Sequence, residues 1–403
     1  MLIKAGKSLA FWALGAAFVC ASFSNSLFEI FSSAFLILSL ALIAKEKRLD
    51  VFKSAFGVAA GLYFLAVLMT LTQSAYPAES LRGIFRVLRC VLMSFSAIYL
   101  VDNEEKFKKI FYIFALSALL IAADALVQGI FGIEFLRSRS MTPYLGQHER
   151  VTGPFSHAND LAAYLSMVIF LFLGMIFREW RSRTWKESVF FLSGLTALGI
   201  CFLWTYSRGA WVAAGIACVL LAVLQRSRVM IFAILVTAVG LFFLSPAPLR
   251  TRIASFGDIS DGTMKERRFL WTEALEMTAE RPWLGYGINT YSKVEPHFKS
   301  KEHYTNNQYA HNGYLQIAAE TGWVGLVAFL AVMAAFFMAV FKAPWRHSDF
   351  LSAATLSLAL GILSFLLHSA TDTNLHSMRL VSLLWLAMGL AMAAKRLQEK
   401  TPR

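Results

Sequence analysis

The sequence predicts an all-α, polytopic integral membrane protein, and three observations carry that prediction. Of its 403 residues, 57% are hydrophobic and only 16% are charged, against roughly 45–50% apolar residues in soluble domains. Mean hydropathy is +0.57. Apolar runs of bilayer-crossing length alternate with short charged breaks along most of the chain.

Twelve spans are expected: Leu9–Phe23, Leu27–Ala44, Ser54–Leu71, Ile84–Val101, Ile110–Ile130, Asp160–Phe177, Ser188–Tyr206, Gly209–Leu224, Val229–Ser245, Trp323–Phe341, Phe350–His368 and Leu380–Ala394. The run after Arg208 is the shortest. Met1–Lys7 precedes an apolar run that leads into the next without a cleavage site, so it reads as the start of a first span. The chain divides into an N-terminal bundle (1–245), one large polar loop (246–322), and C-terminal spans with a tail (323–403). A polar loop of that length between two spans is more often functional than a linker.

Threading twelve spans puts Lys4, Lys7, Lys45, Arg48, Lys106, Lys108, Lys109, Arg178, Arg181, Arg183, Lys186, Arg226, Arg228, Lys342, Arg346, Lys395 and Arg396 on one side. That side is the expected cytoplasm, which places both termini inside and the long loop outside. The same rule accounts for much of the +13 net charge, and no nucleic-acid-binding motif accompanies it. Cys20, Cys90, Cys201 and Cys218 all fall in or beside apolar runs, so neither a disulfide framework nor a zinc site is indicated.

Several cations break the pattern on the outer side. Arg82, Arg86 and Arg89 share one helical face at the start of the fourth span. Arg208 interrupts two apolar runs, and Arg137, Arg139 and Arg150 precede a shorter outer loop. Cations at membrane depth face a cavity or a partner, or snorkel to lipid phosphates. The tight Ser207-Arg-Gly turn favours the first reading for Arg208. For the Arg82 stripe both stay open. Asp124, within the fifth span, reads as a helix–helix hydrogen-bond partner.

In the long loop, Thr263-x-x-Glu266 has capping-box spacing for a helix that Pro282 ends near Glu280. Arg267 falls near its first turn, where a guanidinium and free amides suit an anion; an ordinary solvated cation is the plain alternative. Farther on, Asn312, Gln316 and Glu320 form a polar stripe at helical spacing, and Gly322 fits a helix C-cap before the next span. His311 opens this helix and suits either proton acceptance or phosphate binding. His368, Asp372, His376 and Arg379 read as polar residues of the last outer loop.

Four segments in order resemble the O-antigen ligase and polymerase superfamily of bacterial polysaccharide enzymes. They are Gly153-Pro-Phe-Ser-His-Ala-Asn-Asp-Leu-Ala, Tyr206-Ser-Arg-Gly-Ala-Trp, Arg267-x-x-x-Trp271 continuing through Ala274, Met277, Pro282, Gly285 and Gly287, and His311-Asn-x-Tyr-Leu-Gln with Glu320 and Gly322. One departure is His157-Ala where relatives often carry a Pro before Asn-Asp, which should alter loop shape more than chemistry. The resemblance implies a glycosyltransferase of the inner membrane that uses an undecaprenyl-diphosphate-linked glycan at the periplasmic face. It implies that Arg208 and Arg267 hold the diphosphate while His311 assists the acceptor. Asn159, Arg268, Trp271, Asn312, Gln316 and Glu320, with the Arg82 stripe, would contact substrate. Guanidinium clamps suit a diphosphate leaving group.

Asp258-Ile-Ser-Asp261 lacks Asp-x-Asp spacing and no nucleotide-binding glycine loop is evident, so no metal or cofactor is expected. The expected partners are the lipid-linked donor, a lipid A–core acceptor and membrane lipids, without nucleic acid. A ligase is the first expectation, with O-antigen polymerase and protein O-oligosaccharyltransferase as alternatives. A transporter would also use twelve spans, but no repeated halves are visible.

Overall fold

A computed structural model describes residues 2–135, 140–144, 148–177, 184–228, 230–232, 234–236, 243, 247–254, 262–299, 309–342 and 349–400. Among them the architecture is almost wholly helical. The long helices are α1 (Leu2–Cys20), α2 (Asn25–Glu46), α3 (Ala55–Met69), α4 (Pro77–Leu100), α5 (Glu104–Phe131), α6 (Ala158–Phe177), α7 (Trp185–Trp204) and α8 (Arg208–Leu224). Next come α9 (Ala247–Ala254), α10 (Gly262–Glu280), the short α11 (Tyr291–Val294), α12 (Gly313–Phe341), α13 (Phe350–His368) and α14 (Met378–Lys400). Ten segments are long and apolar enough to cross a membrane, and α8 is a shorter apolar helix of 17 residues. The expected span Val229–Ser245 lies largely outside the described residues. An all-α polytopic membrane protein is the result.

The starts of these helices follow from local chemistry. Ser24, Ser54, Asn103 and Asp349 each turn a side-chain oxygen onto a free amide of the first turn of α2, α3, α5 and α13. Thr184 and Glu187 form a reciprocal capping box on α7. Two strands unforeseen in the sequence, Thr142–Tyr144 and His148–Arg150, pair antiparallel between α5 and α6. Asp124 bonds within the loop after its own helix. Its Oδ1 accepts from Phe135 N at 3.0 Å, closing the loop that follows its own helix.

Burial separates a central layer from a lipid-facing one. In α14 and α13, 89% and 83% of the apolar window is buried, whereas in α7 the share is 28%. Helix α13 packs on α6, α8 and α14, α14 also packs on α4, and α12 packs on α3. A helix apolar on every side must find either other helices or lipid around it, and α13 and α14 find helices.

Ionic and polar contacts join the ends of several helices. Lys7 pairs with Glu46 at 2.9 Å, Tyr99 donates to Glu46 at 2.8 Å, and Arg396 pairs with Asp50. Lys7 and Arg396, two of the cations expected on the cytoplasmic side, therefore lie at one end of the bundle. At the other, Arg379 donates to Ala21 O at 2.9 Å and to Pro154 O at 3.0 Å, while its guanidinium lies over Phe155 at 4.1 Å. That bond pattern anchors the Gly153-Pro-Phe segment to the tip of α1. Gln128 grips the preceding residues, its Oε1 accepting from Thr152 N at 2.8 Å and Gly153 N at 2.9 Å.

The expected stop at Gly322 is a break within α12. Gly322 has φ 65 and ψ −172, so helical pairing fails on both sides of it. The segment 282–289 takes up the freed groups. Tyr286 N donates to Ala319 O at 3.1 Å and Gly287 N to Glu320 O at 2.8 Å, while Trp323 N donates to Pro282 O at 2.7 Å. Buried backbone groups near apolar surroundings need such partners. The contact is so close that a Cβ on Gly322 would stand 2.2 Å from Trp283 O. The Gly285-Tyr-Gly287 turn is thus a strap across a broken helix, with φ 63 and 108 at its two glycines.

Candidate functional site

Helix α10 runs to Glu280, as Pro282 predicts, and starts at Gly262 rather than after a cap at Thr263. Its buried flank, Ala274 and Met277, meets Tyr286, Tyr291, Val294, Ala310 and Ala319 in a small core. That packing holds α10 against the start of α12. Trp271 Nε1 donates to His311 O at 3.3 Å, fixing the residue that precedes the helix. His311 itself is left-handed at φ 47, a conformation few non-glycine residues adopt and one that clusters at functional sites.

The last outer loop closes over this arrangement. Gly313 N donates to Ser369 O at 2.7 Å and to Asp372 O at 3.0 Å. The side chain of Asp372 then becomes a hub. Its Oδ1 lies 3.5 Å from His311 Nδ1, and its Oδ2 lies 3.7 Å from Arg267 Nη2. Asn159 Nδ2 donates to the same Oδ2. Asn159 in turn accepts from Arg150 Nη2 at 2.6 Å, and Arg150 Nε donates to Thr205 O at 2.6 Å. Burial pushes the Asp372 carboxyl up, but His311, His368 and Arg267 outweigh it and hold the group well below the usual carboxylate range. Asp372 is thus a buried anion with the Arg267 guanidinium as a fixed cation beside it.

Helix α8 meets the same loop. Ser207 Oγ lies 3.3 Å from His368 Nε2, and a Cβ on Gly209 would stand 2.2 Å from Thr371 Oγ1. Only glycine permits that approach, which brings the first turn of α8, and Arg208 with it, against residues 368–371. The four resembling segments thus converge on one end of the bundle. His311 Nδ1 is buried without a hydrogen-bonding partner among the described residues.

The other candidates divide. Arg268 is exposed, unlike half-buried Arg267. Asn312 caps α12, its Oδ1 accepting from Tyr314 N at 3.0 Å and Leu315 N at 3.1 Å. Glu320 accepts from Asn289 N at 2.8 Å and Tyr291 N at 3.1 Å, so one of its tasks is to secure the strap. Gln316 Nε2 lies 3.0 Å from His376 Nδ1. The arginine stripe separates: Arg82 is exposed and pairs with Glu79 at 2.9 Å, and Arg89 turns to Glu29 at 2.7 Å and to Ser32 on α2. Arg86 alone of the three faces a cavity, and it donates to His376 O at 3.4 Å. Arg137 and Arg139, with Asp258 and Asp261, lie outside the described residues.

Sequence reasoning passed over Asp372, reading it as a polar loop residue, and gave Arg150 no task. No spacing ties positions 150, 159 and 372 together; a carboxylate in an outer loop otherwise rich in cations was the only available signal.

A family model described as O-antigen ligase matches residues 192–330. Comparison with curated proteins gave no match. The matched segment, about a third of the chain, contains Arg208, Arg267, His311 and the strap at 282–289, and over it the chain is similar to that family.

Proposed function

We propose that this protein is a membrane glycosyltransferase that moves a glycan from undecaprenyl diphosphate to the lipid A–core at the periplasmic face of the inner membrane. The observation that carries the reading is the convergence of Arg267 and His311 on Asp372, beside the first turn of α8 that bears Arg208. In the reaction the anomeric C–O bond to the diphosphate breaks and a bond to an acceptor oxygen forms. Undecaprenyl diphosphate leaves, its developing charge held by Arg208 and Arg267. His311 takes the acceptor proton or, in the second role open to it, binds phosphate. Asp372 orients Arg267 and His311 without contacting substrate. The cation-rich opposite end, where Lys7, Arg48 and Arg396 meet acidic partners, supports placing the site outside.

A polymerase that accepts a second lipid-linked repeat is the other reading. The split of the Arg82 stripe favours it, since a row of three free cations for a phosphorylated core is reduced to one. The test is transfer by purified protein in vesicles, with lipid-linked glycan as donor and lipid A–core as acceptor. Product on the wild type and none on Arg267→Ala is expected. Full transfer by Arg267→Ala would remove the diphosphate role.

A further inference from the structure

Beside the Asp372 cluster, on the far side of the start of α12, lies a chamber of about 60 Å³. Helices α3, α4, α12 and α14 and the last outer loop enclose it, and Tyr63, Arg86, Gln316, Glu320, His376 and Trp385 are among its walls. It shares Gly313 and the 372–376 loop with the cluster. At about 15 Å³ of such space per water, it would hold roughly four ordered waters or the hydroxyl-bearing edge of a small ring.

We propose that this chamber receives the hydroxyl-bearing edge of the acceptor's terminal sugar, an uncharged pyranose, with its reacting hydroxyl directed toward His311. The proposal rests on the transferase reading above. One guanidinium, Arg86, and one carboxylate, Glu320, face the same space, so it carries no net charge and gives a phosphate no advantage. The hydrogen-bonding groups are mixed instead. Gln316 Oε1 accepts from Ala310 N at 3.5 Å, which directs its Nε2 to His376 Nδ1. His376 Nδ1 therefore accepts, and its proton sits on Nε2 as a donor. Arg86 donates as well, and Glu320 keeps lone pairs beyond those used by Asn289 and Tyr291. Tyr63, Phe329 and Trp385 add aromatic surface. Donors and an acceptor beside aromatic rings suit a ring with apolar faces and a rim of hydroxyls, and do not suit an anion.

The experiment compares wild type with Val87→Phe, which fills the chamber without removing a polar group, and with Arg86→Met. Two measurements are made: equilibrium binding of the delipidated acceptor oligosaccharide without donor, and transfer at varied donor and acceptor in vesicles. Lipid A–core and an undecaprenyl-linked repeat serve as alternative acceptors, and whichever shows the effect identifies the source of the sugar. Both variants should weaken oligosaccharide binding and raise the acceptor KM at least tenfold, with the donor KM unmoved. Unchanged oligosaccharide affinity in Val87→Phe, or a rise in donor KM alone, would overturn the chamber assignment. Failure of the transferase reading is seen separately, as Arg267→Ala retaining full turnover.

Discussion

Asp372 Oδ2 stands 3.7 Å from Arg267 Nη2, joining the last outer loop to the helix that opens the long polar loop. The same carboxylate reaches His311 and Asn159, so four separate segments depend on one buried charge. Asp372→Asn should keep the shape and lose the charge. Transfer should fall by about 10²-fold, the scale on which small misplacements of reacting groups act. Membrane levels should stay near wild type, since the Gly313 contact uses the Asp372 backbone carbonyl. Normal transfer by Asp372→Asn would leave the hub without a positioning role.

The two proposed diphosphate arginines differ in setting, and replacement by lysine separates charge from shape. Arg208→Ala and Arg267→Ala should abolish transfer. The lysine variants should recover only part of it, because an ammonium lacks the planar, bidentate fork. Full recovery by lysine at both positions would reduce the requirement to point charge. His311→Ala should lower turnover more than donor binding if His311 is a base, and a pH–rate profile without a limb lost on that substitution would leave only phosphate binding.

Much of the fold was legible because it follows from local rules. Apolar runs gave the spans, Pro282 gave the end of α10, and Gly322 gave the break in α12. The chamber and the hub were not legible. Arg82, Arg86 and Arg89 lie on one face by spacing, yet Glu79, three residues before Arg82 on the same helix, and Glu29 draw two of them away, and the Glu29 pairing depends on how α2 packs on α4. Asp372 is a further case, since its partners come from α6, α10 and the start of α12 and only tertiary contact unites them.

The strap makes a prediction about stability alone. Gly322→Ala must hold a side chain at φ 65 and 2.2 Å from Trp283 O, so it should lose about 1–3 kcal/mol or more and accumulate poorly. Gly61, inside α3 with open space around its Cβ position, provides the contrast. Gly61→Ala should be neutral or stabilising by about 0.5–1 kcal/mol. Thermal unfolding in detergent reads both, and equal melting temperatures for the two variants would contradict the tight contact at the break.

His376 carries a pH prediction. Burial and, second, the Arg86 charge push its pKa from 6.5 down to about 4. The unfolded chain therefore takes up a proton first as pH falls. The contribution of neutral His376 is complete above about pH 6.5 and is lost between there and about pH 4, by at most about 3 kcal/mol. Gln316 donates to its Nδ1 and the Tyr309 ring lies against it, tilted by 48° with centroids 4.6 Å apart, so the local structure loosens with it. The drop in melting temperature from pH 7.5 to pH 5 should be smaller in His376→Asn than in wild type. An equal drop would show that this imidazole does not govern the effect.

A ligase and a polymerase would both hold the same diphosphate, so the proposed site around Asp372 would suit either, and only the acceptor would separate them. A ligase draws on an anionic lipid A–core lying in the outer leaflet, while a polymerase takes a second lipid-linked repeat. Of the three arginines at that boundary, Arg82 is exposed but paired with Glu79, Arg89 is occupied by Glu29, and Arg86 faces a chamber it shares with Glu320. Exposed Arg82 contacts with core phosphates would be individually weak and salt-sensitive. Deletion in cells that make both glycans should therefore decide the matter on products rather than affinity. Loss of a ligase leaves full-length chains on undecaprenyl diphosphate and bare core on lipid A, which is the expected result. Single repeats attached to core would mean that ligation continues while chain growth has stopped, and would assign this protein to polymerisation.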